Sequence, residues 1–303
     1  MASLRETTNL STADTQFSDA ELPHEVRDRS IGDIIGELRN LSAADVERIL
    51  AHQRERGIRF GEAAVSLGLA SNDDVLYALA QQFHYPYEPE ARRKLSAELV
   101  ALSQPFSVQA EALRAMRSQI IMRMGLEGEA RRALAVVSPE SGDGKTYLSA
   151  NLAIGLAQLG GRTLLIDADM RGPRQHQLFH LSNKAGLSGI LSGRQESKVI
   201  QPVADVPSLF VLPVGITPPN PLELIERPAF GLLIRELCGK FDHVVVDTPA
   251  AQYGADATVI ASRCGSALVV ARKNRSRVRA LQDLVGTLAD GPSKLAGVIL
   301  NEF

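Results

Sequence analysis

Two patterns of apolar residues divide the chain. Between Ser30 and Gln82 apolar positions recur every three or four residues, the spacing of an amphipathic helix, whereas beyond Ala133 they come as short unbroken runs. The first region repeats itself. SIGDIIGELRNLSAADVERILAHQ, residues 30–53, returns as RFGEAAVSLGLASNDDVLYALAQQ, residues 59–82, at an offset of 29. Gly32 then corresponds to Gly61, Ile35 to Ala64, Ser42 to Ser71, Val46 to Val75, Leu50 to Leu79 and Gln53 to Gln82. Each copy is a helix–loop–helix too small to bury its own apolar face, so the two are expected to pack together. In the second region ALAVVS, TLLIDAD, SLFVLPV, HVVVDTP, SALVVAR and AGVILN read as strands, and Thr146–Leu159 as a helix ended by Gly160 and Gly161. Strands that are apolar on both faces predict a mostly parallel sheet covered by helices on each side, with a ligand at the carboxyl ends of the strands.

The predicted organisation is therefore an α/β domain over 108–303, preceded by a small, mainly helical tandem-repeat domain over 29–88. Between them, a linker over 89–107 belongs to a stretch interrupted by Pro86, Pro89 and Pro105. Residues 1–28 are polar, Ser/Thr-rich and acidic, which predicts a disordered tail. The 45% hydrophobic and 22% charged composition over 303 residues is that of a globular protein, and a net charge of -2 argues against a nucleic-acid binder. No apolar run approaches the ~18 residues of a membrane span and the N-terminus lacks a secretory pattern, so a cytoplasmic location is expected. Cys238 and Cys264, both in apolar surroundings, are expected to be buried inert thiols.

The sharpest chemistry lies at Ser138-Pro-Glu-Ser141-Gly142-Asp143-Gly144-Lys145-Thr146-Tyr147, after a strand and opening a helix. Gly142 and Gly144 let backbone N–H groups converge on phosphate oxygens, and the helix N-terminus adds a favourable dipole. Lys145 brings a mobile charge and the Thr146 hydroxyl a ligand for Mg²⁺. The full phosphate-loop pattern asks for glycine where this chain has Pro139. Two further strands end in acids, at Asp167-Ala-Asp169-Met-Arg171 and at Asp247-Thr-Pro. A single aspartate in such a place commonly caps the next helix, but three strand ends together predict a Mg²⁺–nucleotide site with Thr146, Asp167 and Asp247 around the metal.

At these motifs the chain resembles the bacterial tyrosine kinases that work with exopolysaccharide chain-length proteins, which have a MinD/ParA-like P-loop NTPase fold. SGDGKT, DADMR and DTPA stand for that family's three nucleotide motifs, and Pro218-Pro219-Asn220-Pro221 for a further segment. The resemblance covers about residues 105–303. It implies that ATP and Mg²⁺ are bound, that Lys145 stabilises the transferring phosphoryl group, and that Asp167 activates a tyrosine hydroxyl with support from Asp169 and Arg171. It places the adenine near Asn301. It also implies ring-like self-association through Glu111, Arg114 and Arg117, which spacing alone would make an exposed salt-bridged helix face. A membrane chain-length-determinant partner that recruits the protein to the inner face of the plasma membrane follows as well. Two departures stand out: Ala250 replaces a second proline, and no tyrosine cluster follows Asn301-Glu302-Phe303, so Tyr85 and Tyr87 in the linking stretch are the expected acceptors.

The repeat resembles the N-terminal domain of type II secretion and pilus ATPases, whose paired motifs bind cyclic di-GMP. Arg59, Phe60, Gly61, Gly68 and Gln82 match that motif in the second copy, whereas the first has Ser30 for its arginine and Arg39 for a glycine. A missing guanidinium removes a bidentate contact, so protein docking is the competing role. Repeat and kinase together resemble the EpsG-type chain-length-determinant kinases. Two other functions compete: a nucleotide-bound scaffold for the polymerisation machinery, and a positioning ATPase of the ParA/MinD type, whose signature lysine is Glu140 here. His176 and His180 at helical spacing, and the basic run Arg272, Lys273, Arg275, Arg277 and Arg279, are weaker features. The first is expected to be helix packing and the second a solvated helix start.

Overall fold

The structure, a computed structural model, describes residues 30–82, 95–124, 131–194 and 197–302. The tail expected over 1–28, and Tyr85 and Tyr87, lie outside the described residues.

Four helices carry the repeat: α1 (Ile31–Arg39), α2 (Ala43–Arg56), α3 (Phe60–Ser66) and α4 (Asn72–Gln82). Ser-x-x-Asp boxes open three of them. Ser30 with Asp33, Ser42 with Asp45 and Ser71 with Asp74 exchange side-chain and backbone hydrogen bonds that satisfy helix N-termini. α1 packs on α4 and α2 on α3, so the two copies interlock around Ile34, Ile35, Ile49, Ala63, Ala64 and Ala78. Within the second copy Gly61 lets α3 approach α4, because a Cβ there would lie 2.7 Å from Val75.

The remaining elements are α5 (Val100–Ser103), α6 (Val108–Met124), β1 (Ala133–Val137), α7 (Lys145–Ala157), β2 (Thr163–Asp167), α8 (Gln175–Leu178) and α9 (Leu187–Leu191). They continue through β3 (Gln201–Pro202), β4 (Leu209–Leu212), α10 (Pro221–Glu226), α11 (Pro228–Lys240), β5 (His243–Asp247), α12 (Asp256–Cys264), β6 (Gly265–Arg272), α13 (Val278–Ala289) and β7 (Lys294–Asn301). All six expected strands form. They make a seven-stranded sheet in the order β3-β4-β2-β5-β1-β6-β7, parallel except for the short β3, which pairs antiparallel with β4. Successive residues of β1 face opposite layers. Ala133, Ala135 and Val137 meet α9 to α13, while Leu134 and Val136 meet α5, α6, α7 and α8. Cys238 and Cys264 are buried free thiols in the first layer, and burial pushes both thiols up.

Residues 95–107, assigned from sequence to a linker, pack against the sheet domain. Leu99 and Ala101 are buried in the second layer, and the Ala101 N–H donates to Asn151 Oδ1 of α7 at 2.9 Å. Asn151 in turn donates to the Glu98 carbonyl at 3.0 Å. The prolines that suggested a link do not stop a buried turn of helix from forming between them.

Candidate functional site

β1 runs into the loop 138–144, and α7 begins at Lys145 with Gly144 as its N-cap. Gly142 and Gly144 have φ of 84° and 102°, a region that costs other residues strain. A Cβ on Gly144 would also sit 2.3 Å from Asn301 Nδ2, which donates to the Asp143 carbonyl at 3.0 Å. Asn301 thus holds the loop from the end of β7 and lines the cavity beside it. Asp143 is wholly buried: its carboxylate accepts from the Glu140 N–H at 2.9 Å and from the Ser276 hydroxyl at 2.7 Å. Lys145 is buried and donates to Ser138 Oγ at 2.8 Å. Thr146 and Tyr147 follow on the first turn of α7, and both line the cavity.

The two acids expected at the metal are neighbours. Asp167 ends β2, Asp247 ends β5, and the two are directly paired in the sheet. Burial pushes both carboxyls up. Asp167 is raised well above the usual range, by desolvation and then by Asp247. Asp247 rises to about 6, by desolvation opposed by Lys145, Gln175 and the Thr146 hydroxyl. Asp169 is turned differently: its carboxylate accepts from the Arg171 and Gly172 N–H groups at 3.1 and 2.9 Å, which shapes the turn after β2. Arg171 forms a bidentate pair with Asp256 at 3.2 and 3.0 Å, tying that turn to the start of α12.

Sequence reasoning missed Gln175. This fully buried residue donates from Nε2 to Asp247 Oδ2 at 2.8 Å and to the Thr146 carbonyl at 3.1 Å, and its own N–H donates to Asp167 Oδ2 at 3.0 Å. Gln175 Oε1 is buried without a partner. Paired buried carboxylates, a threonine hydroxyl and an unsatisfied amide oxygen suit Mg²⁺, a hard cation that keeps several waters and shares phosphate oxygens. Among the described residues no group of three His, Cys, Asp or Glu side chains forms a metal cluster. No sequence pattern marks Gln175, because its partners come from three separate strand and helix ends.

A cavity of about 870 Å³ opens over the loop, lined by Ser141, Lys145, Thr146, Asp169, Tyr253 and Asn301 among others. Much of the basic run lies at its edge rather than forming a free helix start. Arg272 donates to the Gly142 carbonyl at 3.3 Å, Arg275 lies against Gly142, and Arg277 pairs with Glu140 at 2.5 Å. The helix carrying the expected self-association motif is braced within the chain. Glu111 and Arg114 pair at 2.6 Å, Arg114 donates to the Pro105 carbonyl at 2.7 Å, and Arg117 to the Gly155 carbonyl at 2.9 Å. His176 and His180 do not share a helix, since α8 ends at Leu178 and His180 has φ of 49°.

In the repeat domain Phe60 and Gln82 line a second cavity of about 870 Å³. Arg59 is exposed and is not among its lining residues, whereas Asp33 and Glu37 are. Gly68 has φ of 69° and turns the chain after α3. Arg39, standing at a motif glycine, pairs with the buried Asp74 at 2.7 Å.

The phosphate loop, its flanking acids and the parallel sheet define a P-loop nucleotide-binding protein. In agreement, residues 134–303 match the CobQ/CobB/MinD/ParA nucleotide binding domain family. The putative tyrosine-protein kinase CapB of Staphylococcus aureus is 35% identical over 215 residues, covering 70% of this chain and 92% of its own length. The tyrosine-protein kinase ptk of Acinetobacter johnsonii is 32% identical over 212 residues, again 70% of this chain but 29% of its own. The solved kinase domain of the Escherichia coli tyrosine kinase ETK superposes with a TM-score of 0.65 at 33% identity, over 69% of this chain and 82% of that one. The chain belongs to the bacterial tyrosine-protein kinase family, and it spans about three tenths of the length of larger members such as ptk.

Proposed function

We propose that the protein is an ATP-dependent protein tyrosine kinase that regulates exopolysaccharide chain length and export through a membrane chain-length-determinant partner. The observation that carries this reading is the placement of the buried Asp167–Asp247 pair and the Asp169–Arg171 turn against the phosphate loop. The backbone N–H groups of the loop and Lys145 would hold the β- and γ-phosphates. Thr146, Asp247 and Asp167 would hold Mg²⁺, which supplies charge neutralisation on the phosphate oxygens. Asp167, raised by burial and the neighbouring Asp247, would receive the proton of an incoming tyrosine hydroxyl. Asp169 and Arg171 would set the turn that admits it. Phosphoryl transfer asks for this positioning and charge complementarity more than for covalent help from the protein.

The positioning-ATPase alternative is disfavoured by Glu140, which pairs with Arg277 of its own chain where a lysine would reach across a dimer. The experiment is incubation with Mg²⁺-ATP and a poly(Glu,Tyr) acceptor, with Lys145→Ala as control. Phosphotyrosine in the wild type and none in the variant supports the kinase. Nucleotide binding without any phosphotyrosine favours a scaffold.

Self-association through the Glu111, Arg114 and Arg117 helix belongs to the same proposal, and its test is sizing of wild type and Arg114→Ala with ATP. Two monomers would end it. Recruitment to the inner membrane face would depend on the partner, since among the described residues no helix is long and apolar enough to cross a membrane. For the repeat domain we favour protein docking over cyclic di-GMP. The cavity beside Phe60 and Gln82 presents Asp33 and Glu37, which disfavour a ligand carrying two phosphates. Calorimetric binding of cyclic di-GMP by the full chain would reverse that choice.

A further inference from the structure

The turn after β5 is fastened to the phosphate loop. The Ala251 N–H donates to the Ser138 carbonyl at 2.9 Å and the Gln252 N–H to the Pro139 carbonyl at 3.0 Å. These bonds start a single 3₁₀ turn, Ala251–Tyr253, closed by Gly254 with φ of 139°. On the other side Asp256 clamps Arg171 of the turn after β2. Tyr253 is thereby fixed between two of the nucleotide motifs. It is half exposed and lines the nucleotide cavity with Lys145, Thr146 and Asp169. Its phenol hydrogen-bonds Ser141 of the phosphate loop, which draws the hydroxyl below its usual pKa. A large aromatic left half in water at the mouth of a phosphate site, with its hydroxyl directed to the loop, has no packing explanation.

We propose that Tyr253 is a phosphoacceptor, modified in cis by the nucleotide bound in its own cavity. Of the described tyrosines, Tyr77 is half-buried against the core of the repeat domain and Tyr147 is built into α7. Tyr253 alone of these three combines an exposed hydroxyl with a position at the phosphate loop. In the step, Tyr253 Oη forms a bond to the γ-phosphorus of ATP while the bond from that phosphorus to the β–γ bridging oxygen breaks. ADP leaves with the electron pair, and the phenolic proton passes to water at the open mouth. The product carries about two negative charges beside Asp169 and the phosphate site. It therefore opposes rebinding of a nucleotide, and modification of this residue limits itself.

This inference rests on the kinase reading above, and the test separates the two. The full-length protein is incubated with Mg²⁺-ATP and poly(Glu,Tyr), digested with trypsin and mapped by mass spectrometry, with Lys145→Ala as control. Fragment 241–263 contains no tyrosine other than Tyr253. The expected result is phosphotyrosine in that fragment of the wild type, absent from Lys145→Ala, and absent from the same fragment of Tyr253→Phe. The labelling rate per molecule is expected to stay constant on tenfold dilution of the protein. Phosphorylated poly(Glu,Tyr) with an unmodified fragment would overturn the acceptor while leaving the kinase standing. A rate that falls in proportion to dilution would overturn transfer in cis. No phosphotyrosine on either protein would overturn both readings.

Discussion

Replacing Gln175 by leucine removes the buried side-chain amide that joins Asp247 to the first turn of α7, and leaves in place the backbone N–H that serves Asp167. Leucine has nearly the same volume but donates nothing, so Asp247 Oδ2 loses its 2.8 Å hydrogen bond in a fully buried setting. A hydrogen bond to a charged group is worth about 1.5–3 kcal/mol, or about one to two pKa units at ~1.36 kcal/mol each. Asp247 would move from about 6 to about 7 or 8. The sign follows from the charge that the cation requires. Burial has already raised this acid, so its ionised form prevails only above its pKa, and Mg²⁺ affinity falls as pH drops through that value. At pH 7 the wild type is mostly ionised and the variant is not, which predicts about 2- to 15-fold weaker Mg²⁺-dependent nucleotide binding. The assay is Mg²⁺ titration of a fluorescent ADP analogue at a series of pH values between about 5 and 9. The half-point of the pH dependence should shift upward by about one to two units in Gln175→Leu, and the two proteins should converge at the alkaline end. An unshifted half-point, or a defect of equal size at every pH, would refute the account.

Three further outcomes follow from the geometry. Gly144→Ala forces a side chain into φ of 102° and against Asn301, which should weaken nucleotide binding at least about tenfold while circular dichroism remains that of the wild type. Gly61→Val drives new atoms into Val75, so urea unfolding of the full chain should show the repeat domain destabilised by about 1–3 kcal/mol. Asp74 is partly desolvated, which alone would raise it, yet hydrogen bonds from Ser71 and Arg39 hold its carboxyl below the usual 3.8. Its contribution to stability is therefore present above about pH 4 and lost on acidification below that. In Arg39→Ala part of this acid-sensitive stability, about 1 kcal/mol for a half-exposed arginine, should already be missing at neutral pH by the same urea measurement.

What could be read from the sequence was local. Runs such as Val244-Val245-Val246 announce a strand buried on both faces, and Ser-x-x-Asp announces a capped helix, because each pattern is written within a few residues. The carboxyl ends of those strands then had to meet, and Lys145, Asp167 and Asp247 do. The features that escaped depend on where separate segments land. β3 has two residues and exists only because β4 lies beside it. The 95–107 segment reads as a link until Asn151 of α7 supplies its hydrogen bonds. Gln175, Asp256 and Tyr253 carry no motif of their own, and each acquires a role through a partner between 72 and 112 residues away.

Two substitutions within the nucleotide motifs, Pro139 for the phosphate-loop glycine and Ala250 for a proline, show which positions the backbone constrains. Positive φ in the phosphate loop falls on Gly142 and Gly144, not on Pro139. Pro139 instead offers its carbonyl to the Gln252 N–H, a bond that a residue lacking its own N–H makes as well as any other. The second substitution, Ala250, has φ of -70°, which proline would share. The following N–H groups still reach the phosphate loop. Neither position needs the residue that the pattern would put there, and Lys145, Thr146 and the paired aspartates still come together beside the loop.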